Sequence, residues 1–373
     1  ITLYHLIFIV KIKNIMTVCI LGNGLTALTL AKTLANKNIN VDLLTQKKNF
    51  KLSKTRTLGI SKSNSDFFNE NIINIEKFLW RLKKIEIFTD NLKKEKLLNF
   101  QNDKQLFSIL KNHELYENLE KDLSKNKYFK KKIINNNNLS FIKDYSLIIN
   151  CDYSHAITKK YFSNKIAKKY NSIAHTTIIK HDKILNDTAI QIFTKKGPLA
   201  FLPISNNETS IVYSVHNTLY KENDNIEELI KVYNFKYKIR EIKHIDKFEL
   251  KSLNLRSYYH NNILAFGSLL HTIHPLAGQG FNMIIRDIKI LTKIISQKYE
   301  LGLPLDSSIN DEFENIVKHK NFIFSNGIDF IHEFFNIERK IKNNILSKSV
   351  KLIGNNHLIK KVFTKIADKG ILF

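Results

Sequence analysis

The first stretch of the chain that reads as one element is MTVCIL, Met16 to Leu21, a run apolar on both faces as a buried parallel strand requires. Glycines follow at once. LTALTLAKTLANKN comes next, in which Leu25, Leu28, Ala31 and Leu34 share one face of a helix. A second apolar strand, INVDLL, completes a βαβ unit whose crossover is expected to be right-handed. From Ser65 to Lys127 the pattern reads as mainly helical, with NIEKFLWRLKKIEIF as a helix running into a strand. LSFIK and SLIIN are expected as two short strands after a loop marked by NNNN at 135–138, the second stopping at Asp152. Strands dominate 174–215, where TAIQIFT and TSIVYSV alternate as an antiparallel sheet with one wet face would. The chain then turns helical, returns to a strand at NILAFGSL and enters the loop HTIHPLAGQG. A long helix from about Phe281 to Tyr299 and a helical remainder follow.

Length and composition refine this picture. A chain of 373 residues with 43% apolar and 11% aromatic residues can bury two cores, or one core with an inserted lobe. The net charge is +25, yet only 6 of the 59 basic residues are Arg. A nucleic-acid surface uses more Arg for bidentate contacts, so the Lys excess is read as drift and a general affinity for anions, with no nucleic-acid partner. Two cysteines, Cys19 and Cys151, make neither a disulfide framework nor a metal cluster, and both are expected to be buried thiols. The opening ITLYHLIFIV is too short to span a membrane. Met16 precedes the first strand, so the preceding fifteen residues are read as an upstream extension. No metal site is expected, since His271 and His274 lack a clustered carboxylate.

Residues 22–27, GNGLTA, carry Gly22, Gly24 and Ala27 in the G-x-G-x-x-G/A spacing, between a strand and a helix as a dinucleotide-binding turn demands. Gly22 makes the tight turn, Gly24 lets backbone amides approach a pyrophosphate, and Ala27 keeps helix and sheet close. The second strand ends in Thr45, where such folds place an acidic ribose acceptor. Asp42 lies inside the strand and is a poor substitute.

The run ILAFGSLLHTIHPLAGQGFNMIIRD at 263–287 resembles the flavin-dependent aromatic hydroxylases (class A flavoprotein monooxygenases), and most of all their ubiquinone-biosynthesis branch. The match lies at Gly267, His271, His274, Pro275, Leu276, Ala277, Gly278, Gln279, Gly280, Asn282, Arg286 and Asp287. Arg56 in TRTLGIS and the segment FTKKGPLAFLP at 193–203 extend the resemblance. The resemblance implies an α/β fold: a Rossmann-like FAD-binding domain, an inserted antiparallel-sheet substrate domain and a helical C-terminus. It distributes the chain as 16–75, 100–165 and 255–330 in the FAD domain, 76–99 and 166–254 in the substrate domain, and 331–373 as a C-terminal segment. FAD contacts are expected from Gly22, Gly24, Ala27, Thr45, Arg56, Asp152, Gly267, Ser268, Pro275, Gly278, Gln279, Gly280 and Asn282. No catalytic side chain is assigned, because the flavin carries the chemistry. His271 is expected to hydrogen-bond the loop backbone, and Arg286 with Asp287 to form a structural pair or cap.

The resemblance also implies a polyprenylated phenolic substrate, NADPH or another electron donor, and a place in a ubiquinone-biosynthesis assembly. Departures stand beside it. Ser268 replaces the family's ribityl-binding carboxylate, and Thr45 the acidic ribose contact. The family's Asp-Gly-x-x-Ser-x-x-Arg motif corresponds to Asp152, Tyr153, Ala156 and Lys159, with only the aspartate kept. A second reading follows, that of a catalytically silent relative with a structural or substrate-presenting role in the same assembly. Residues 336–373 hold nine Lys/Arg against two Asp/Glu. Leu358, Ile359, Val362, Phe363 and Ile366 recur there at helical spacing. This predicts a cytoplasmic protein that touches an anionic inner-membrane surface peripherally, or else a helix docked on the FAD domain.

Overall fold

The computed structural model describes residues 16–46, 52–90, 96–102, 105–135, 139–219, 224–275, 278–341 and 357–370. The opening ITLYHLIFIV, most of the NNNN loop, Leu276 and Ala277 lie outside the described residues. The chain begins with β1 (Thr17–Leu21), α1 (Leu25–Ala35) and β2 (Asn40–Thr45), followed by β3 (Thr57–Ser61) and α2 (Lys62–Asn71). Four strands come next, β4 (Trp80–Leu82), β5 (Lys84–Thr89), β6 (Lys96–Gln101) and β7 (Phe107–Lys111), and then α3 (Asn112–Leu123). After β8 (Phe129–Ile133), β9 (Leu147–Asn150) and the short α4 (Ala156–Tyr161) lies the long β10 (Lys165–His181). β11 (Thr188–Thr194), β12 (Gly197–Pro203), β13 (Glu208–His216), α5 (Ile226–Tyr233), β14 (Ile239–Ile242) and β15 (Asp246–Leu255) follow. The chain continues through β16 (Tyr259–His260), β17 (Ile263–Ala265) and β18 (His271–Thr272) into three helices. These are α6 (Gln279–Glu300), α7 (Ser308–Ile341) and α8 (His357–Lys369).

These elements form a Rossmann-like sheet, a second large and mostly antiparallel sheet, and a small three-stranded sheet. The first has the order β16-β17-β9-β1-β2-β8, parallel throughout except at β16. Its central strands are buried along their whole length, which is why they read as unbroken apolar runs. The core here joins β1, β9 and β17 to the inner faces of α1, α3, α6 and α7. The second sheet runs β18-β15-β10-β13-β12-β11-β5-β6, with β5 parallel to β11. Its core packs Tyr213, Phe201, Ile211 and Leu199 under α5. The third sheet is β3-β7-β4. Thr57 and Ser210 join it to the second through a 2.8 Å hydroxyl contact.

The strands of 174–215 fall where alternation predicts them, in β10 to β13. The reading of 65–127 as mainly helical is corrected, since β4 to β7 occupy its centre. Apolar positions at 79, 82 and 85 satisfy helical spacing. Leu82 and Ile85 sit instead on two short strands, with Leu79 just before the first, and one partner of β5 lies about a hundred residues downstream in β11. The helical expectation after 215 likewise misses β14 and β15, both of which pair with β10. LSFIK forms a 3-10 turn rather than a strand, and the strand expected to stop at Asp152 ends at Asn150. Cys19 is buried, whereas Cys151 is partly exposed.

The β11–β12 turn depends on Gly197. Its φ is +142°, and a Cβ there would lie 2.0 Å from the Ser214 carbonyl oxygen of paired β13. Gly197→Ala is expected to destabilise the chain by more than about 2 kcal/mol, as left-handed strain adds to a backbone collision. Urea unfolding of both chains checks this, and an unchanged midpoint would contradict it.

Candidate cofactor site

Parallel pairing brings the carboxyl ends of β1, β2, β9 and β17 to one edge, the place where open α/β sheets bind ligands. Gly22, Thr45, Asp152, Gly267 and Ser268 follow those ends. Gly22 has φ +116°, donates its N–H to the Leu44 carbonyl (2.9 Å), and would bring a Cβ within 3.3 Å of the Asp152 nitrogen. The tight turn is therefore pinned between β2 and the end of β9. Gly24 starts α1, and a Cβ there meets no atom within 4 Å. No side chain caps α1 and no acidic residue sits in its first turn, so its leading amides face that open space. Ala27 is fully buried in the helix–sheet contact. Gly267 has φ +67° and lies against Thr26, whose Cγ2 would stand 2.6 Å from an added Cβ.

The polar groups at this edge are partly committed to the protein. Asp152 Oδ1 accepts from the backbone and hydroxyl of Ser154, both at 2.8 Å, and Oδ2 accepts from Gln46 Nε2 at 3.3 Å. The Asx turn so formed carries Tyr153, which replaces the family glycine. Its ring is partly exposed and has Lys165 and Lys251 above it at 5.5 and 5.1 Å. Thr45 is buried and its hydroxyl donates to the Gln46 carbonyl (3.3 Å). Asp42 is bound by Lys132 and Tyr145, both at 2.7 Å, which agrees with its rejection as a ribose acceptor. Ser268 is exposed.

A second cluster forms where α6 begins. Gly278 has φ +62° and packs on Gly59 of β3, with 3.4 Å from a built Cβ to the Gly59 Cα. Asn282 is fully buried. Its Oδ1 accepts from the Ser61 N–H (2.8 Å) and Asn64 Nδ2 (3.0 Å), and its Nδ2 donates to the Gly59 and Gly278 carbonyls, both at 3.1 Å. Asn282, expected among the cofactor contacts, thus spends its amide on holding the loop. α6 also starts without a side-chain cap. Gln279 is buried at that start with Oε1 unpartnered, Gly280 is partly exposed beside it, and Pro275 is half-buried. Arg56 is exposed and stacks on Phe248 of β15 at 4.5 Å, next to the contact of Thr55 with Asp246. Two uncapped helix starts, the one at Gly24 open to approach and the one at Gly278 braced on Gly59, fit a ligand that has a diphosphate and an electron-rich ring edge.

The histidines differ in surroundings. His271 Nε2 lies 2.6 Å from Asp287 Oδ2, both groups are buried, and Asn321 Nδ2 bonds the same carboxylate at 3.0 Å. This corrects the expected loop-backbone partner of His271, and it separates Asp287 from Arg286, whose guanidinium instead covers Phe324 at 4.5 Å. His274 is buried against Tyr170 and His332, with neither ring nitrogen partnered. Burial, helped by His332, pushes its pKa well below the ordinary imidazole value. No group of three or more metal-ligating side chains occurs among the described residues. Sequence reasoning missed Gly59, Ser61, Asn64 and Gln46. Only Gly59, a glycine inside a strand, carried a signal of close backbone approach.

The fold is one that holds FAD in solved structures of the same architecture. The chain has the fold of the class-A flavoprotein monooxygenases, and in sequence it is similar to curated ubiquinone-biosynthesis monooxygenases. It is similar to p-nitrophenol 4-monooxygenase from Pseudomonas putida (TM-score 0.74, 10% identity, covering 96% of this chain and 100% of that one). It is also similar to Klebsiella pneumoniae HpxO complexed with FAD and uric acid (TM-score 0.71, 11% identity, 95% and 96% covered). Among curated proteins it resembles the mitochondrial ubiquinone biosynthesis monooxygenase COQ6 of Schizosaccharomyces pombe, with 22% identity over 275 residues, 60% of this chain and 57% of that protein. It also resembles the 3-demethoxyubiquinol 3-hydroxylase of Escherichia coli, with 27% identity over 162 residues, 40% of each chain. The matched stretch thus spans about half the length of these curated relatives. No family model matches the chain.

Replacing Asn282 by Ala strands the buried Ser61 and Asn64 donors. Each lost partner costs about 1–3 kcal/mol, so Asn282→Ala is expected to lose about 2–4 kcal/mol of stability in chemical denaturation. A loss below about 0.5 kcal/mol, the range of neutral surface changes, would contradict the bracing role.

Proposed function

We propose that this chain binds FAD along the carboxyl edge of the Rossmann-like sheet and hydroxylates an aromatic ring. The single observation carrying this reading is the pair of uncapped helix starts, at Gly24, where glycine leaves the approach open, and at Gly278, where a left-handed glycine packs on Gly59. Bound FAD would supply reductive activation of oxygen, and this chain supplies orientation and shelter. Leading amides of α1 would hold the diphosphate, with Gly22 and Ala27 setting their position. The start of α6, with Pro275, Gly278, Gln279 and Gly280, would lie along the ring. Thr45 and Ser268 would meet the ribose and ribityl hydroxyls as neutral partners. Asp152 and Gly267 would shape the turn behind them, and Arg56 the entrance from β15.

The finer reading is a polyprenylated phenolic intermediate of ubiquinone synthesis as substrate, with NADPH or a similar donor. It is supported by the printed names of the sequence relatives. An apolar wall adjoins the α6 start: Phe107 packs against Gly59, and Trp80, Ile109 and Leu202 cluster behind it. Phe201 belongs to the core, stacked with Tyr237, while Leu202 joins that wall. The division into a discontinuous FAD domain and an inserted substrate domain is proposed in the same terms. Peripheral attachment to an anionic membrane remains part of the proposal, with the docked alternative favoured for α8. Ile366 packs near Ile273, Met283, Phe324 and Ile328, leaving Val362 exposed. Among the described residues no helix is long and apolar enough to cross a membrane.

Purification with a flavin absorbance band that is released on denaturation is the expected result. A colourless protein that takes up no FAD would favour the silent structural relative, which the engaged Asp152 carboxylate supports. Gly24→Val should keep the fold, since its side chain enters open space, yet weaken FAD binding at least about tenfold by filling the diphosphate approach. Equal dissociation constants would remove this turn from the site. Ser268→Asp places a carboxylate on an exposed position where it can accept a ribityl hydroxyl. A gain of about 1 kcal/mol, roughly fivefold in affinity, is expected by titration calorimetry. Weaker binding would mean that the site has adapted around serine.

A further inference from the structure

Away from the cofactor edge, a cleft of about 320 Å³ opens between α6, α7, the first turn of α2 and the end of α8. Its lining carries the side chains of Arg286, Lys289, Lys320 and Lys369 over an apolar floor that includes Met283 and Phe324. The neighbouring carboxylates are already engaged. Asp287 accepts from His271 and Asn321, and Asp368 accepts from the Ser63 N–H at 2.9 Å. Both terminal nitrogens of Arg286 are shut off from solvent without a hydrogen-bond partner. A buried guanidinium whose terminal nitrogens find no acceptor is costly, because desolvation is not repaid by hydrogen bonds.

Gly370 lies so close that a Cβ there would be 2.4 Å from Arg286 Nη1, and its φ of +79° is one that glycine adopts freely. Lys289 reaches only the Ser63 carbonyl (3.2 Å) and the face of Phe67 (4.9 Å). Burial lowers its pKa to about 8, opposed by Asp368 and reinforced by Arg286. Burial likewise lowers Arg286 to about 10, against Asp287 and Asp368. These groups offer a fork of donors and ammonium charge, and among the described residues no carboxylate bonds Arg286 or Lys289 directly.

We propose that this cleft is a binding site for a phosphate-type dianion, held by the Arg286 fork with Lys289 and Lys369 at its rim. A planar guanidinium matches two phosphate oxygens at once, and ammonium groups neutralise the rest as point charges. Gly370 shields the fork, so the dianion reaches it as that turn shifts, and binding is thereby coupled to the seat of α8. The same phosphate chemistry occurs in free phosphate or a small phosphate monoester, and in the headgroup of an anionic lipid.

The test uses the full chain and does not depend on FAD, so its failure is separate from failure of the flavin reading. Thermal unfolding is followed against inorganic phosphate, with chloride at matched ionic strength as control. Binding is measured in parallel to vesicles of phosphatidylcholine with and without phosphatidic acid. The parent is compared with Arg286→Met and Lys369→Met. A saturable rise in unfolding temperature with phosphate is expected, with the dissociation constant raised about tenfold or more in Arg286→Met. If Arg286→Met does not fold, Lys369→Met must still weaken the response. Vesicle binding that needs phosphatidic acid and Arg286, without a response to free phosphate, would support the site with a lipid headgroup as its source. No response to either ligand, or equal responses in parent and variants, would overturn the proposal.

Discussion

The side-chain amide of Asn282 joins three elements that are far apart in sequence. With two accepted and two donated bonds it ties the first turn of α6 to β3 and to α2. No apolar residue could do this, because Gly59 and Gly278 approach too closely to leave room for anything but backbone and one planar amide. With the turn held from behind, α6, like α1, begins without a side-chain cap. One turn further along α6, Arg286 and Asp287 face opposite demands. Asp287 seats β18 through His271, and Arg286 is left to α7 and α8.

The cofactor edge keeps its shape while losing charge. Gly22, Gly24, Gly267 and Gly278 preserve the backbone geometry that a large dinucleotide needs. Thr45 and Ser268 stand where carboxylates would accept hydroxyl protons more strongly. Asp152 survives in sequence, but its oxygens hold Ser154 and Gln46. That turn has to carry Tyr153 in place of glycine, and the Asx bond stabilises it. For the FAD proposed at this edge, affinity would rest on backbone amides and helix starts more than on side-chain charge.

α8 illustrates how two readings of a basic amphipathic helix resolve. Its last turn is anchored by Asp368, which caps α2 through the Ser63 N–H, while its backbone carbonyl accepts from the Ser61 and Ser63 hydroxyls. Ile366 packs near Phe324 and Met283. Outward, among the described side chains, are Lys361, Val362, Lys365, Ala367 and Lys369. The docked face and the exposed basic face are thus parts of one helix, and anchoring at its end is what presents the remainder.

The βαβ unit, the alternating strands of β10 to β13 and the long helix after PLAGQG could be read from residue order, because each is set by local periodicity and glycine placement. So could the identity of the glycine turns, since spacing and flanking elements suffice for them. β4 to β7 and β14 to β15 could not, because apart from the β5–β6 pair they are set by partners distant in sequence. Residue order singled out Asn282, His271, Asp287 and Arg286 from the motif and assigned them wrong or incomplete partners. A side chain's hydrogen-bond partner is chosen by whichever group folding brings within about 3 Å. Gly59, Ser61, Asn64 and Asn321, the groups so chosen, lie at separations that no sequence pattern encodes. Local patterning determined the elements and the turns; only long-range packing decided which polar groups met, which were left for a ligand, and where the unpaired charge of Arg286 came to rest.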